Sequence, residues 1–229
     1  MNKGFSIAID GPVASGKGTL AETLANKLGG FSINTGAMYR AVALFCLSKN
    51  INLEKEEDVI SVLPNINIEL KDNVYLNGND VTERLKEPNV ASASAVVAYY
   101  SGVRKDLAER QRKIALQGIS EEKVIIAEGR DIGTRVLPDA DIKIFLTASP
   151  EIRAKRRLGQ YIEKGINKKF EDVLEETKIR DELDTTRETD PLPTNPESLG
   201  YFVLNDSNQT EEETVQSIIE ELRRRGLIK

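Results

Sequence analysis

The sequence predicts an α/β fold in which helices cover both faces of a parallel sheet. Two observations indicate it: short apolar runs alternate with longer helical patterns over most of the 229 residues, and the first run leads through glycines into the first helix. Because parallel strands need a crossover connection, alternation at this spacing is typical of a parallel sheet. The runs predicted as strands are 6–10, 31–34, 124–128, 142–147 and 201–205.

Helical patterns separate these strands, and two segments depart from the alternation. The predicted helices are 17–28, 37–48, about 90–117, 151–163 and 210–225. Residues 66–70 alternate apolar and polar side chains and 74–78 resemble a hairpin partner, so 65–88 is predicted to be a small antiparallel insertion. Residues 153–187 are charged and helical, and three prolines between 189 and 198 predict a loop before the last strand.

Residues 11–19 predict a phosphate-binding loop. Gly11, Gly16 and Lys17 satisfy the pattern G-x4-G-K, although Gly18 replaces the usual Ser or Thr and Thr19 follows one position later. Backbone N–H groups at such a helix N-terminus bind phosphate oxygens, and the lysine adds a full positive charge. Glycine is needed because a Cβ would keep the backbone from closing around the phosphate. The alternative, a glycine-rich turn that binds nothing, does not account for the flanking strand and helix.

Composition excludes several classes of protein. The 32 basic and 37 acidic residues give a net charge of −5, which argues against nucleic-acid binding through a broad basic surface. The single cysteine, Cys46, excludes an internal disulfide and a cysteine metal site and fits a reducing cytosol. No apolar run approaches membrane-spanning length, and the first strand begins without a signal-peptide pattern. We therefore expect a soluble, cytoplasmic protein without nucleic-acid or membrane partners. We also expect a monomer, a state that composition does not determine.

The chain contains no histidine, which removes the commonest general base and the commonest zinc ligand. Phosphoryl transfer to an acceptor that is already an anion needs neither. The second pKa of a nucleoside monophosphate is about 6, so at pH 7 the acceptor is mostly a ready nucleophile. An enzyme for this reaction has to align two polyanions and neutralise their charge.

Two polar segments follow predicted strands. Thr35 and Arg40 lie in a Thr-Gly-Ala-Met-Tyr-Arg run after the second strand, where a hydroxyl, backbone N–H groups and a guanidinium could bind one anion. The alternative is an N-cap threonine beside a solvated arginine. Arg130 and Asp131, between two glycines, follow the third strand of the sheet, at the edge where open α/β sheets bind ligands. The alternative there is a surface ion pair.

Arginines are concentrated in the charged helical region. Arg180, Asp184 and Arg187 share one helix face by their spacing, and Arg153, Arg156 and Arg157 precede them. A charge-dense helix is usually a solvated face, and an exposed pair stabilises it by only ~0.3–0.5 kcal/mol. However, ATP and a monophosphate together carry about six negative charges, which one lysine does not neutralise. A mobile segment that supplies arginines would also exclude water on closing.

Six motifs occur in order along the chain: GPVASGKGT, TGAMYR, LNGNDVTERL with NVAS, VRKDLAERQR, GRDIGT and KIRDELDTTR. Together they resemble the bacterial cytidylate kinase family over essentially the whole length. The resemblance implies a three-layer P-loop fold with a five-stranded parallel sheet, a small antiparallel monophosphate-binding insertion and a helical lid. The implied boundaries are 1–62, 98–152 and 188–229 for the core, 63–97 for the insertion, and 153–187 for the lid and its flanking helix.

The resemblance also implies a reaction and its site residues. The family transfers the γ-phosphoryl group of ATP to CMP or dCMP with Mg²⁺, a step of pyrimidine nucleotide metabolism. Matching residues would bind the ATP phosphates: Gly11, Pro12, Val13, Ala14, Ser15, Gly16, Lys17, Gly18 and Thr19. Thr35, Arg40 and Arg130 would bind the monophosphate of CMP, Arg104 and Asp131 its cytosine, and Arg180 and Asp184 its ribose. Lys17, Arg187 and Arg157 would be catalytic, with Arg156 beside them, and Mg²⁺ would lie near Thr19 and Glu128 with no direct protein ligand assigned.

Three positions depart from the family pattern. Asn34 stands where many relatives have Asp, and Glu128 replaces a common Asp near the expected Mg²⁺ position. The serine expected to recognise the base aligns near Ala95, between the alternatives Ser94 and Ser92, so this residue is left unassigned.

Two other functions compete with this one. Another small P-loop kinase, for adenylate, uridylate or an alcohol such as shikimate, would not need the 63–97 insertion or the pair Arg104 and Asp131. A P-loop switch protein would need a guanine-binding Asn-Lys-x-Asp motif, which the sequence lacks.

Overall fold

A computed structural model of the chain describes residues 4–163 and 165–229. The strands are β1 (Phe5–Asp10), β2 (Phe31–Asn34), β3 (Ile68–Leu70), β4 (Val74–Leu76), β5 (Asn79–Asp80), β6 (Val124–Gly129), β7 (Ile142–Thr147) and β8 (Phe202–Asn205). The helices are α1 (Lys17–Leu28), α2 (Thr35–Ser48), α3 (Glu56–Val62), α4 (Pro88–Val97), α5 (Ser101–Ser120), α6 (Pro150–Glu163), α7 (Phe170–Thr186) and α8 (Glu211–Arg224).

The five strands predicted for the parallel sheet are confirmed. They form one sheet in the order β2-β6-β1-β7-β8, with β1 parallel to both β6 and β7, and β7 parallel to β8. All six residues of β1 are buried, as expected of a central strand with helices on both faces. The carboxyl ends of β1 and β6 are in register, Asp10 opposite Gly129. The loop after β1 and the segment after β6 therefore begin side by side.

Internal packing divides the chain into two compact units. The first contains the residues up to Ser32 and Ala115–Lys229, and the second is Ile33–Ile114. The functional boundaries expected at 63–97 and 153–187 concern which segments bind which substrate, so they remain predictions. No helix within the described residues combines the length and apolarity that a membrane crossing requires.

The core of the first unit joins the central strands to α1 and α8. Ile7 and Ile9 of β1, Ile144 of β7, Leu24 of α1 and Ile218 of α8 are fully inaccessible to solvent. The apolar positions of α1 recur at helical spacing, so one face of that helix lies on the sheet and its N-terminus is fixed at the sheet's carboxyl edge.

The second unit differs from the sequence prediction in two ways. The antiparallel insertion is confirmed, but it has a third short strand, β5, paired with β4. The single helix predicted over about 90–117 is wrong, because α4 ends at Val97 and α5 begins at Ser101. Glu56 of α3 causes the second start: its Oε1 accepts hydrogen bonds from the N–H of Gly102 at 2.9 Å and the hydroxyl of Ser101 at 3.3 Å.

Candidate active site

The phosphate-binding loop predicted after β1 has a backbone that only glycine accommodates at its first position. Gly11 has φ +154°, and a Cβ there would lie 2.0 Å from the carbonyl oxygen of Leu146 on β7. Gly16, with φ +89°, precedes α1, and no side chain caps that helix. The first N–H groups of α1 therefore have no side-chain acceptor and are suited to bind an anion.

Lys17 lies inside this loop. Its side chain is only 5% exposed, and Nζ donates to the carbonyl oxygen of Pro12 at 2.7 Å and to Oγ of Ser15 at 3.1 Å. Burial and the nearby charge of Arg130 lower the pKa of Lys17 to about 7, although the carboxylate of Glu128 acts in the opposite direction. In this structure Lys17 therefore donates to two oxygen atoms of the protein. Phosphate oxygens of a bound nucleotide could accept the same hydrogen bonds.

Asp10 is a buried carboxylate that the sequence analysis did not identify as a site residue. Its oxygens accept hydrogen bonds from the N–H groups of Ile132 and Gly133, each at 2.8 Å, and from the hydroxyl of Tyr201 at 2.7 Å. Burial raises the pKa of Asp10 to about 6, although these three donors act against the rise. Asp10 is therefore mostly ionised at neutral pH. The only sequence signal was a carboxylate at the end of a strand that is otherwise apolar except for Ser6.

Arg130 and Asp131 begin the segment after β6 and lead into a π-helical turn, Ile132–Val136. The wide turn is defined by the N–H of Val136 donating to the carbonyl oxygen of Asp131 at 3.2 Å. Such turns are rare and frequently lie at functional sites. Asp131 is buried, and Nε of Arg130 lies 2.8 Å from the buried carboxylate of Asp184, so Arg130 and Asp131 are not the exposed surface ion pair considered from the sequence.

Asp184 of α7 binds three arginines. Its carboxylate lies 2.8 Å from Nε of Arg130, 3.3 Å from Nε of Arg180 and 3.7 Å from Nη1 of Arg187. We refer to Arg130, Arg180, Asp184 and Arg187 as the Asp184 cluster. Asp184 is 3% exposed, and burial would raise its pKa, but the arginines outweigh that effect and hold the pKa below its usual range.

The Asp184 cluster has three positive charges and one negative charge, so it favours an anionic ligand. Arg187 also lies 3.9 Å from the carboxylate of Asp131 and donates to the carbonyl oxygen of Asp190. The alternative that Arg180 and Asp184 form an exposed helix pair is wrong, because the carboxylate is buried.

The three arginines of α6 have different surroundings. Arg153 is buried and donates to the carbonyl oxygens of Ala148 at 2.8 Å and Val13 at 3.2 Å, and its Nη2 lies 2.6 Å from a carboxylate oxygen of Asp181 on α7. It therefore joins the phosphate-binding loop to α7.

Arg156 and Arg157 diverge from each other. Nη1 of Arg156 lies 3.0 Å from the carboxylate of Asp206. Arg157 donates to Gln160 at 3.2 Å and stacks 4.9 Å from the ring centre of Tyr161. These partners of Arg157 are on its own helix, so the described contacts do not bring it to the loop.

A cavity of about 380 Å³ opens beside the phosphate-binding loop. Thr19 and Leu20 of α1, Leu146 of β7, Arg156 of α6 and Asp206 after β8 line it, together with residues of α8. It combines apolar side chains with a guanidinium and a carboxylate, a composition that suits a planar heterocycle with polar edges.

On the second unit, Asn34 determines how α2 begins. Oδ1 of Asn34 accepts a hydrogen bond from the N–H of Ala37 at 3.0 Å, so Asn34 is the N-cap and Thr35 is the first helical residue. The alternative that Thr35 is the N-cap is therefore wrong. Thr35 is buried, and Arg40 on the same helix is partly buried.

Arg104 of α5 is 2% exposed, which is unusual for an arginine. Its Nη1 donates to the carbonyl oxygen of Ala98 at 3.2 Å, and its guanidinium carbon lies 5.8 Å from the ring centre of Tyr39. Ser94 donates to the carbonyl oxygen of Ala91 and Ser92 to that of Pro88, bonds that satisfy both hydroxyls within the helix. The serine that recognises the base stays unassigned.

The residues near the loop fit a magnesium ion bound mainly through phosphates. Within residues 4–163 and 165–229, no group of three or more Asp, Glu, His or Cys side chains could hold a metal ion. Mg²⁺ usually needs only one or two carboxylates in addition to substrate phosphates and water. Glu128 is a buried carboxylate whose charge acts on Lys17, which places it near the loop.

Comparisons with known proteins agree with this geometry. A family model described as Cytidylate kinase matches residues 7–224. A cytidylate kinase of Caldanaerobacter subterraneus subsp. tengcongensis is 46% identical over 225 residues, which cover 98% of this chain and 97% of its own. One from Caldicellulosiruptor saccharolyticus is 42% identical over 223 residues, 95% of each chain.

Solved structures share the fold at low sequence identity. An uncharacterized protein from Eubacterium ventriosum has a TM-score of 0.56 at 14% identity, covering 97% of this chain and 99% of its own. A shikimate kinase from Bacteroides thetaiotaomicron has a TM-score of 0.50 at 16% identity, covering 96% and 98%. At these identities the likeness concerns the fold alone.

Proposed function

The chain belongs to the cytidylate kinase family, and we propose that its phosphate-binding loop and Asp184 cluster form the active site that transfers the γ-phosphoryl group of ATP to CMP or dCMP. The products are ADP and CDP or dCDP. The observation that carries this proposal is the Asp184 cluster, a buried group of three arginines around one carboxylate, within the same compact unit as the loop. One compact unit thus holds the charges that a second phosphorylated ligand requires.

ATP binds through residues 11–19. The N–H groups at the start of α1 bind the β-phosphate, and Nζ of Lys17 exchanges the oxygens of Pro12 and Ser15 for phosphate oxygens. The adenine occupies the cavity beside the loop, where Leu146 and the guanidinium of Arg156 provide surfaces for a planar base.

The family motifs assign the residues that bind CMP. Thr35, Arg40 and Arg130 bind its monophosphate, and Arg180 and Asp184 bind its ribose. The cytosine is recognised by Arg104 and Asp131, because guanidinium donors suit N3 and O2 while a carboxylate suits the N4 amino group. This assignment rests on the sequence motifs and on the chemistry of the side chains.

The transfer needs no general base, because the attacking phosphate oxygen is already ionised at pH 7. Lys17 and Arg187, with Arg157 and Arg156 of α6, neutralise the charge on the transferring group as the attacking and leaving oxygens align. Thr19 and Glu128 would lie near Mg²⁺, directly or through water, and a bound ion would supply positive charge against the ATP phosphates. Arg157 has to leave Tyr161 to take part, which is the movement expected of a closing lid.

We also propose that the protein acts in the cytoplasm, in pyrimidine nucleotide metabolism, as a monomer. The buried, unpaired Cys46 is compatible with a reducing compartment.

The experiment that tests the function is turnover coupled to ADP formation, with CMP, dCMP, UMP, AMP and shikimate as acceptors at matched concentrations. CMP and dCMP should give the highest kcat/KM, and ADP should not form when the acceptor is omitted. Equal turnover with AMP or shikimate would support another small kinase. Hydrolysis of GTP without an acceptor would support a switch protein.

A further inference from the structure

We propose that Asp10 is a positioning residue which, together with Tyr201, sets the place of Arg130 and Asp131 relative to the phosphate-binding loop and so controls CMP binding. The inference rests on the proposed function, since it assigns Asp10 and Tyr201 a role in the same site. The proposal does not require either side chain to contact a substrate.

The first argument is the geometry around the carboxylate. Asp10 is fully inaccessible to solvent, and both of its oxygens are used: Oδ1 by the N–H of Ile132, and Oδ2 by the N–H of Gly133 and the hydroxyl of Tyr201. Three donors at 2.7–2.8 Å converge on one ionised acceptor. A buried donor without an acceptor is costly, so all three groups are held by the same side chain.

The second argument is the position of these bonds along the chain. Pairing between β1 and β6 ends at Asp10 and Gly129, and the carboxylate bonds the backbone three and four residues beyond Gly129. It therefore fixes the chain where the sheet no longer does, directly after Arg130 and Asp131. The loop, which begins at Gly11, follows Asp10 through the paired backbone of β1, so the carboxylate itself acts on the segment after β6.

The third argument is that Asp10 substitutes for a local cap. Asp131 is the N-cap of the π-helical turn, yet its side chain does not cap that turn. The two N–H groups at the start of the turn are instead bound by Asp10, 122 and 123 residues away in sequence. The backbone that follows Asp131 is therefore held by Asp10 and not by the side chain of Asp131.

The fourth argument is the close approach of Tyr201 to this turn. A Cβ on Gly133 would lie 2.6 Å from the Tyr201 hydroxyl oxygen, so the turn and the tyrosine fit together only with glycine at position 133. Tyr201 also packs edge-on against Phe145 of β7, with ring centres 6.1 Å apart. The tyrosine is therefore held on the sheet while its hydroxyl bonds Asp10.

The test compares Asp10→Asn and Tyr201→Phe with the control Asp141→Asn. Asp141, the residue before β7, accepts hydrogen bonds from the N–H and hydroxyl of Ser6 near the opposite end of β1, so the control removes an exposed carboxylate that holds the same strand away from the candidate site. An amide at position 10 presents an N–H group to a donor, and we expect Asp10→Asn to raise KM for CMP by about tenfold or more. Tyr201→Phe should raise it a few-fold. KM for ATP should change by less than twofold in both, and Asp141→Asn should alter neither KM.

Equal rises in the two KM values, or a change no larger than that of Asp141→Asn, would overturn the proposal, because a merely structural role would not single out CMP. If Asp10→Asn does not fold, the test rests on Tyr201→Phe, in which KM for CMP should rise and KM for ATP should not. A folded Tyr201→Phe variant without this selective rise would overturn the proposal. Amide hydrogen exchange provides a readout independent of turnover: Ile132 and Gly133 should lose protection in Asp10→Asn. If the wild-type protein does not phosphorylate CMP but Ile132 and Gly133 lose protection in Asp10→Asn, the proposed function is refuted and the structural role of Asp10 stands. If the two amides keep their protection in Asp10→Asn, that structural role is refuted.

Discussion

Nζ of Lys17 donates to the carbonyl oxygen of Pro12 at 2.7 Å, so the first residue of α1 holds the loop that precedes it. The ammonium group of Lys17 would interact more strongly with a phosphate oxygen than with this carbonyl oxygen, because the carbonyl oxygen carries only a partial negative charge. Lys17 is buried and its pKa is lowered, so its charged form is disfavoured in the empty protein. An anionic ligand would stabilise that charged form.

Replacing Lys17 with alanine should abolish turnover without unfolding the protein. The side chain makes polar contacts within the loop and none that the apolar core depends on. Circular dichroism and thermal melting should stay near wild type while kcat/KM falls by orders of magnitude. Lys27→Ala, on the exposed surface of the same helix, is the control and should leave activity unchanged. Substantial activity in Lys17→Ala would contradict the assignment of the loop.

ATP binding should take up protons at pH 8. With a pKa of about 7, Lys17 is mostly neutral at pH 8 in the empty protein, and bound phosphates raise this pKa because they favour the charged form. The measurement is titration calorimetry without Mg²⁺ in several buffers that differ in ionisation enthalpy. The observed enthalpy of ATP binding should increase with the ionisation enthalpy of the buffer, and the slope should approach one proton taken up per ATP bound. The slope should vanish in Lys17→Met. A slope of zero in the wild type would mean that the lysine is already charged.

Arg187 and Arg180 should differ in the kinetic constant that they affect. Arg187→Ala should lower kcat much more than it raises KM for CMP, because the role proposed for Arg187 is to neutralise charge that redistributes in the transition state. Arg180→Ala should mainly raise KM for CMP, as a ribose contact made equally in both states. Steady-state kinetics with CMP varied at saturating ATP measure both constants. The reverse pattern would mean that the roles along α7 are exchanged.

Asp131→Ala should reduce the preference for CMP over UMP. Uracil presents a carbonyl oxygen to Asp131 and an N–H to Arg104, so each loses its partner, and the wild type should discriminate by roughly a hundredfold in kcat/KM. The variant loses both the attraction to N4 and the repulsion of O4, and the ratio should fall mainly through weaker activity with CMP. Asp139→Ala, an exposed carboxylate nearby in sequence, should keep the ratio. A preserved ratio in Asp131→Ala would place base recognition elsewhere.

The sequence predicted the elements whose pattern is local. β7 and α1 have the predicted bounds, because an apolar run between polar residues and an apolar stripe at helical spacing are each visible within a short window. The break between α4 and α5 was missed, although Ser101 and Gly102 at the start of α5 are residue types that often mark one. Glu56 stabilises this start by accepting a hydrogen bond from the N–H of Gly102, 46 residues away in sequence. Such a cap depends on the tertiary fold.

The same limit applies to the candidate site. The loop, the Arg130–Asp131 segment and the α7 residues were found from their sequence, because their residue types indicate anion binding at strand ends and helix faces. The burial of Asp184 was not foreseen, since its strongest partner, Arg130, is 54 residues away. Asp10 was missed for the same reason: its three donors are 122 or more residues distant.

Arg153 links the loop proposed to bind ATP to the helix proposed to bind CMP, so we expect the binding of the two nucleotides to be coupled. One guanidinium bonds Val13 in the loop and Asp181 on α7, the helix that also carries Arg180 and Asp184. With the roles proposed above, a displacement of α7 on binding CMP would be transmitted through Arg153 to the loop proposed to bind ATP. Linkage of this kind is reciprocal: the factor by which CMP alters the affinity for ATP must equal the factor by which ATP alters the affinity for CMP.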